Sequence, residues 1–276
     1  MDVGFAGLKD RRAVAVQWFT VPKSLQTLEA WTTVRTPEFE VLEAHAHTRK
    51  LPRGALAGNG FVIRVRDVTV TEQQLSDRAE LIARRGVPNY FGPQRFGREG
   101  SNLSRITAGL RALRMPERGF VLSAARSLMF NAVLCERVRD GSWDRLEPGD
   151  MANLDARGSV FAVDLVDQTL VERCQRLDIH PTGPMWGRGL PASQRRVLEL
   201  ESRVSGQFGA PAALVEEAGM EQERRSLRLA VRNLEWSREP DAVVLRFRLA
   251  KGSFATTVLR EIFDVASPDG EPDGDG

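Results

Sequence analysis

Apolar residues recur along the chain with two periods, and the switches between them mark out elements. Residues 13–21 are dense in apolar and β-favouring side chains and Pro22 stops them, which predicts a strand. Residues 24–31 form either a short helix or a connection. Residues 39–48 alternate loosely, residues 51–60 carry Pro52, Gly54, Gly58 and Gly60, and residues 61–70 alternate as FVIRVRDVTV. The expected order is strand, glycine-rich loop, strand. Thr71 with Gln74 has the form of a capping box, Leu75, Ala79 and Ile82 share one helical face, and Gly86 precedes Pro88, so residues 71–85 are predicted helical.

Residues 86–102 read GVPNYFGPQRFGREGSN: the glycines and prolines exclude regular structure and the aromatics exclude disorder, leaving an ordered loop or a domain junction. Ser123 is placed as the N-cap of a helix through Val138, with Ala125, Leu128, Met129, Ala132 and Cys135 along one side and Gly141 beyond it. Short strands are expected at 150–154 and 159–163, and helices at 168–177, 192–204 and 212–218; the segment IHPTGPMWG, 179–187, lies between the helices. Residues 226–236 and 242–249 form an antiparallel hairpin around Pro240, with Val243, Leu245, Phe247 and Leu249 on one face. A last helix follows over 252–263, and residues 267–276, SPDGEPDGDG, carry no apolar residue except proline and are expected to be disordered.

Composition bounds these elements. At 276 residues and 42% hydrophobic side chains, the chain has material for one or two cores. It contains no run of eighteen apolar residues and no secretory leader pattern, so the expectation is a cytoplasmic protein with no membrane span. Cys135 and Cys174 lie in predicted helices outside any CxxC or Cys/His array and read as reduced, structural residues; His45 and His47 share one strand face, too few ligands for a metal, and none is expected. The sequence lacks GxxxxGK[ST], a strand-to-helix GxGxxG, HExxH and GxSxG, which removes the usual nucleotide, zinc-protease and serine-hydrolase chemistries.

The net charge of +2 conceals an asymmetry: residues 1–126 hold 20 Lys and Arg against 12 Asp and Glu, and the remainder 19 against 25. Arg49, Lys50, Arg53, Arg64 and Arg66, then Arg84, Arg85, Arg95, Arg98 and Arg105, are interleaved with Phe61, Tyr90, Phe91 and Phe96. Such a pattern suits either a polyanion-binding surface or the solvated basic face of an Arg-rich protein.

The candidate chemistry centres on residues 4–19, GFAGLKDRRAVAVQWF, where the carboxylate of Asp10 sits among Lys9, Arg11 and Arg12. Gly4 and Gly7 before the charges and the apolar stretch after them place the cluster where a turn enters a strand. Flanking cations favour an ionised carboxylate, suited to nucleophilic or electrostatic work, and the same residues also suit a plain solvated charge cluster.

Six stretches in order, GFAGLKDRRAVAVQWF, RKLPRGALAGNGFVIRVRDV, GVPNYFGPQRFGREGSN, LSAARSLMFNAVLCERV, the GPMWG segment and LAKGSFATTVLREI, together resemble the TruD family of tRNA pseudouridine synthases. The resemblance implies an isomerase that works without a cofactor on tRNA, at position 13 by family analogy; the chain is expected to act as a monomer. It implies that Asp10 is the nucleophile toward a flipped uridine and that Asn59, Phe61 and Phe254 contact the substrate. The same three residues also suit a turn asparagine and two core phenylalanines. The implied fold class is α+β: a pseudouridine synthase-type catalytic domain with a mixed, largely antiparallel sheet, from residues 1–85 and 230–264, interrupted by an inserted α/β domain, 86–229, and followed by an acidic tail, 265–276. Members of the family carry several tens of residues before the Asp motif, whereas Met1 here lies nine residues before Asp10. The alternative function is an RNA-binding or chaperone-like protein that has lost catalysis with that N-terminal segment.

Overall fold

The computed structural model describes residues 3–10, 13–23 and 25–263. The chain divides into two compact units, Met1–Asn59 and Gly60–Gly276. The elements run, in order, β1 (Gly4–Phe5), β2 (Phe19–Thr20), α1 (Leu28–Thr32), β3 (Gly58–Arg66), α2 (Glu72–Arg85), β4 (Val87–Pro88), α3 (Ser101–Ser104) and α4 (Glu117–Arg139). There follow β5 (Met151–Leu154), β6 (Val160–Ala162), α5 (Gln168–Gln175), β7 (Ile179–Met185), α6 (Arg195–Ser205) and α7 (Gly209–Glu217), then β8 (Glu223–Ser226), β9 (Arg228–Leu229), β10 (Arg232–Glu239), β11 (Ala242–Ala250) and α8 (Ala255–Ile262).

The first unit has little regular structure. Of the strand expected over 13–21, only Phe19–Thr20 pairs, antiparallel to Gly4–Phe5, because only those residues find a partner strand; Val14 and Val16 are exposed. The loose alternation over 39–48 produces no strand either, only an isolated bridge between Arg35 and Glu40. Thr27 caps α1, its side chain accepting from Ala30 N at 3.2 Å. The acidic tail expected after 265 lies outside the described residues, as do Arg11 and Arg12.

In the second unit, β10, β11 and β3 form one sheet, with β10 and β11 antiparallel from Glu239↔Ala242 to Arg232↔Arg248. The period-two pattern puts Phe61, Ile63 and Val65 of β3 and Val243, Leu245, Phe247 and Leu249 of β11 on the face covered by α2 and α8, where Leu75, Ile82, Val258 and Ile262 complete the core. Helix α2 begins as its sequence demands: Thr71 accepts from Gln74 N and the Gln74 side chain accepts from Thr71 N, satisfying two N–H groups that the helix leaves open. Gly86 ends it at φ 71°, and a Cβ there would lie 2.5 Å from Leu229 O, so both the turn and the approach of a neighbouring strand require glycine.

That neighbouring strand is β9, which pairs antiparallel with β4 in the register Val87↔Leu229. The residues between these two short strands build separate cores around a four-stranded antiparallel sheet ordered β6-β5-β7-β8. Helix α4 is the spine of this region, with Val121, Ala124, Ala125, Met129, Phe130, Val133 and Leu134 buried against α6, α7 and β7. Its 23 residues are long and apolar enough to cross a membrane, but its buried face is filled by protein and includes the paired guanidinium groups of Arg126 and Arg137. The helix starts at Glu117, six residues before Ser123; the Ser123 hydroxyl instead accepts a hydrogen bond from Arg95 Nη1 at 2.9 Å. The expected strand at 226–236 is divided into β8, β9 and β10, and the last helix covers the shorter span of α8. Cys135 and Cys174 lie in α4 and α5 as free thiols. Strands paired antiparallel and helices laid on their faces make an α+β architecture.

Candidate functional site

In the first unit two stretches fifty residues apart lie side by side. Gly4 is buried so tightly that a Cβ would lie 2.7 Å from Leu51 O and 2.7 Å from Lys50 Cγ. Leu51 N donates to Thr20 Oγ1 at 2.9 Å and Gly54 N to Ala6 O at 2.6 Å, so the residues around 50–54 are stitched to the β1–β2 pair. The Arg53 guanidinium lies 4.8 Å above the Phe5 ring, which in turn packs against Phe19. At the far end Lys9 Nζ donates to Asn59 Oδ1 at 2.5 Å. The structure therefore brings the motif bearing Asp10 onto the glycine-rich stretch bearing Asn59.

Asp10 is exposed, in a segment without regular structure, and among the described residues no hydrogen bond or ion pair engages its carboxylate. Lys9 is committed to Asn59. This pairing was invisible in the spacing of the residues; the only hint was that both motifs are rich in glycine, which permits close backbone approach.

The two aromatic candidates belong to the second unit. Phe61 is half-buried and stacks on Phe247 with ring centroids 5.4 Å apart and planes inclined by 28°, on the helix-covered face of the sheet. Phe254 is half-buried at the residue preceding α8 and packs on the cluster of Phe91, Phe130, Leu134, Trp143 and Leu227. Both rings thus serve a core as well as presenting some surface.

The stretch at 86–102 is ordered by specific contacts. Asn131 of α4 accepts from Phe91 N at 2.9 Å and donates to Phe91 O at 3.0 Å, clamping the loop at both backbone polar groups. Phe91 meets Phe130 edge-on at 5.5 Å. Arg225 of β8 lies 4.2 Å over Phe91 and donates to Asn89 Oδ1 at 2.9 Å, while Asn89 Nδ2 donates to Ser226 O at 2.8 Å. Arg95 lies 5.1 Å from the same ring. Burial, and then the nearby charge of Arg95, push the Arg225 guanidinium down to about 10. Neither Asn131 nor Arg225 was singled out by the sequence: a lone Asn in a helix and one Arg in the run ERRS carry no signal of their own. Tyr90 beside them is pushed up to about 12, chiefly by burial and then by Cys135.

The basic half of the chain is partly neutralised. Arg64 pairs with Glu239 and Asp241, Arg66 with Asp241, Arg85 with Asp144 at 2.6 Å and Arg105 with Glu117, which leaves fewer free cations for a polyanion than the sequence count. Among the described residues no three His, Cys, Asp or Glu side chains converge as metal ligands.

Comparison with known proteins gives a consistent picture. The family profile described as "tRNA pseudouridine synthase D (TruD)" matches residues 1–108 and 101–262. A protein of Nitrosococcus oceani named tRNA pseudouridine synthase D is 43% identical over 279 aligned positions, covering 99% of this chain and 78% of its own length. One of the same name from Methylococcus capsulatus is 42% identical over 278 positions, with 99% and 78% covered. Among solved structures, a putative tRNA pseudouridine synthase D from Methanosarcina mazei superposes with a TM-score of 0.74 at 22% identity, covering 95% of this chain and 81% of that one, a likeness of fold.

Proposed function

The chain belongs to the TruD family of tRNA pseudouridine synthases, and from that premise we propose that it isomerises a uridine of tRNA, by family analogy at position 13, to pseudouridine. The reaction breaks the bond from the ribose to N1 of the base and makes one to C5; C5 gives up a proton and N1 gains one. Atoms and electrons balance within the nucleotide, so no redox partner or group donor is required. What the protein must supply is a nucleophile to hold the detached sugar or base, a pocket in which the base can turn, and contacts that keep the nucleotide out of its stack. Extrusion costs about a few kcal/mol and stacking on an aromatic ring returns about 1–3 kcal/mol per base.

Asp10 is the nucleophile in this reading, with Asn59, Phe61 and Phe254 as substrate contacts. The observation that carries it is the Lys9–Asn59 hydrogen bond, which joins the two motifs while the exposed Asp10 carboxylate has no partner among the described residues. Residues 86–229 are read as a domain inserted into a catalytic part made of 1–85 and 230–264, a division supported by the Val87↔Leu229 pairing at its base and by the separate cores on either side. Asp10→Asn tests the assignment. Pseudouridine formation on tRNA transcripts should vanish while tRNA affinity is kept; full turnover by this variant would remove Asp10 from the mechanism. A wild-type chain that binds tRNA and never forms pseudouridine would instead favour an RNA-binding protein without catalysis.

A further inference from the structure

Buried and half-buried arginines of the second unit are held in two ways. Arg137 is held by Asp150, Arg224 by Glu201 and Arg126 by Glu223. Arg228 has no carboxylate but donates to Asp144 O, Cys174 O, Ile179 O and His180 Nδ1, so its charge is surrounded by acceptors. Arg225 has neither. Among the described residues its one acceptor is Asn89 Oδ1, its Nε is buried without a hydrogen-bond partner as are those of Arg126 and Arg137, and its guanidinium lies against the faces of Phe91 and Phe130 at 4.2 and 5.7 Å. A second guanidinium, that of Arg95, lies 5.1 Å from the Phe91 centroid and, among the described residues, donates only to Ser123 Oγ. Among the described residues no carboxylate lies within ion-pair distance of either.

Two cations held around one ring, one of them mostly out of water, repel each other and lack the counter-charge that buried ions need. The loop that holds them is fixed, since Asn131 bonds both polar groups of the Phe91 backbone and Asn89 is tied to Ser226. Rigid, carboxylate-free guanidinium forks match the oxygens of a phosphate, and stacking on an aromatic ring holds such a fork ready. We infer that Arg225 and Arg95 form a subsite for a backbone phosphodiester of the RNA substrate. The inference rests on the tRNA reading above for the source of the phosphate. Phe254, the ring proposed to stack on the extruded base, packs on the same cluster as Phe91, so a strand engaged there brings its backbone to this part of the molecule.

The test is the salt dependence of tRNA binding by the full chain, with wild type, Arg225→Gln, Arg225→Lys and Arg95→Gln compared. Each phosphate contact contributes about 0.7–0.9 to the slope of log affinity against log salt. Arg225→Gln and Arg95→Gln should each flatten that slope by about this amount, so that raising salt from 50 to 200 mM costs them about threefold less affinity than wild type. Arg225→Lys should keep the wild-type slope. A purely structural arginine would change melting temperature and leave the slope alone; unchanged slopes in both Gln variants overturn the inference. If Arg225→Gln fails to fold, the half-buried Arg95→Gln decides alone. Inorganic phosphate that raises the melting temperature of wild type and not of Arg95→Gln, with tRNA slopes unaltered, would assign the site to the free anion and overturn the RNA assignment. Pseudouridine formation by wild type is scored in parallel: its absence counts against the proposed function, whereas the slopes alone judge the subsite.

Discussion

Lys9 Nζ donates to Asn59 Oδ1, so the cation next to the candidate nucleophile is spent on orienting an amide fifty residues away. With its oxygen occupied, the Asn59 amide has two N–H donors without a partner among the described residues, suited to a pyrimidine carbonyl, the atom type a flipped uridine presents. Lys9 is on this view a positioning residue that acts through Asn59. Lys9→Met and Asn59→Ala should each slow pseudouridine formation, and the double variant should be no slower than the worse single one, because both remove the same interaction. Coupling energies for contacting groups are about 0.5–3 kcal/mol. Strictly additive losses in a double-mutant cycle would mean the two residues work independently.

Burial decides between two ion-paired clusters. Arg137 holds Asp150 with Nη1 at 2.9 Å and Nη2 at 3.0 Å, both side chains being 2% exposed or less, while Arg196 reaches Asp140 and Glu147 from a side chain 63% exposed. Burial alone would push the Arg137 guanidinium down, but the hydrogen bonds and charge of Asp150 outweigh it and hold it up. Asp150 also accepts from Glu147 N at 2.7 Å, pinning the turn into β5. Removing one partner leaves a buried cation, so Asp150→Ala should cost about 3–5 kcal/mol in urea unfolding. Arg196→Ala should cost about 1 kcal/mol or less. Comparable losses from both would show that the network, not burial, sets the energy.

Residues whose local chemistry and packing agree are legible in the sequence. Helix α2 is the clearest case, with Thr71, Gln74, the Leu75–Ala79–Ile82 face and Gly86 all pointing the same way. Ser123 misled because a serine ahead of an apolar stripe is a good cap in isolation; a partner from elsewhere in the chain, Arg95, takes its hydroxyl. Strand β7 was hidden because Pro181, Gly183 and Pro184 are poor strand formers, yet it lies between β5 and β8, with Pro181 O accepting from Leu227 N at 2.9 Å. Asp10, Asn59, Phe61 and Phe254 came from resemblance, since one carboxylate, one amide and two rings have no distinguishing spacing. Arg225 had no sequence signal at all, because what sets it apart is the carboxylate it lacks.

Asp155, His180, Arg228 and Arg232 predict how stability follows pH. Arg228 Nε donates to His180 Nδ1 at 3.0 Å, which leaves Nε2 to carry the proton donated to Asp155 Oδ1 at 2.9 Å. Burial, reinforced by the charge of Arg228, pushes His180 below its ordinary 6.5 against the pull of Asp155, so the folded ring holds a proton less tightly than the unfolded one. As pH falls through 6.5 the unfolded chain takes up its proton before the folded one does, so stability falls as pH falls there, by up to about 1.4 kcal/mol per pH unit. Asp155 moves oppositely: burial raises it, but the hydrogen bonds from His180 and Arg232 win and bring it from 3.8 to about 2. Its contribution is present above 3.8 and is lost as pH falls toward 2. His180→Gln, which keeps an acceptor and a donor, should flatten the urea midpoint between pH 7 and 5, and Asp155→Asn should flatten it between 4 and 2. A variant profile parallel to wild type in its window would show that the residue named does not titrate with folding.

Gly183 on β7 packs closely against Phe130 of helix α4. Its register partner is Arg225, and a Cβ at this position would lie 2.8 Å from Leu227 Cδ2 and 3.2 and 3.3 Å from two atoms of the Phe130 ring. Leu227 and Phe130 are fully buried, and Phe130 packs edge-on against Phe91, so neither can move without shifting its neighbours. Gly183 has no positive φ among its strains; what it contributes is the absence of a side chain. Gly183→Ala should therefore destabilise by about 1–3 kcal/mol through overpacking. The displaced Phe130 ring would carry Phe91 and the Arg225 guanidinium with it, so the variant should also bind tRNA with a flattened salt slope while keeping the pH profile set by His180 and Asp155. Pairing Gly183→Ala with Phe130→Leu, which frees the space the methyl needs, should recover part of the lost stability. A double variant less stable than either single one would mean that the contact is not steric.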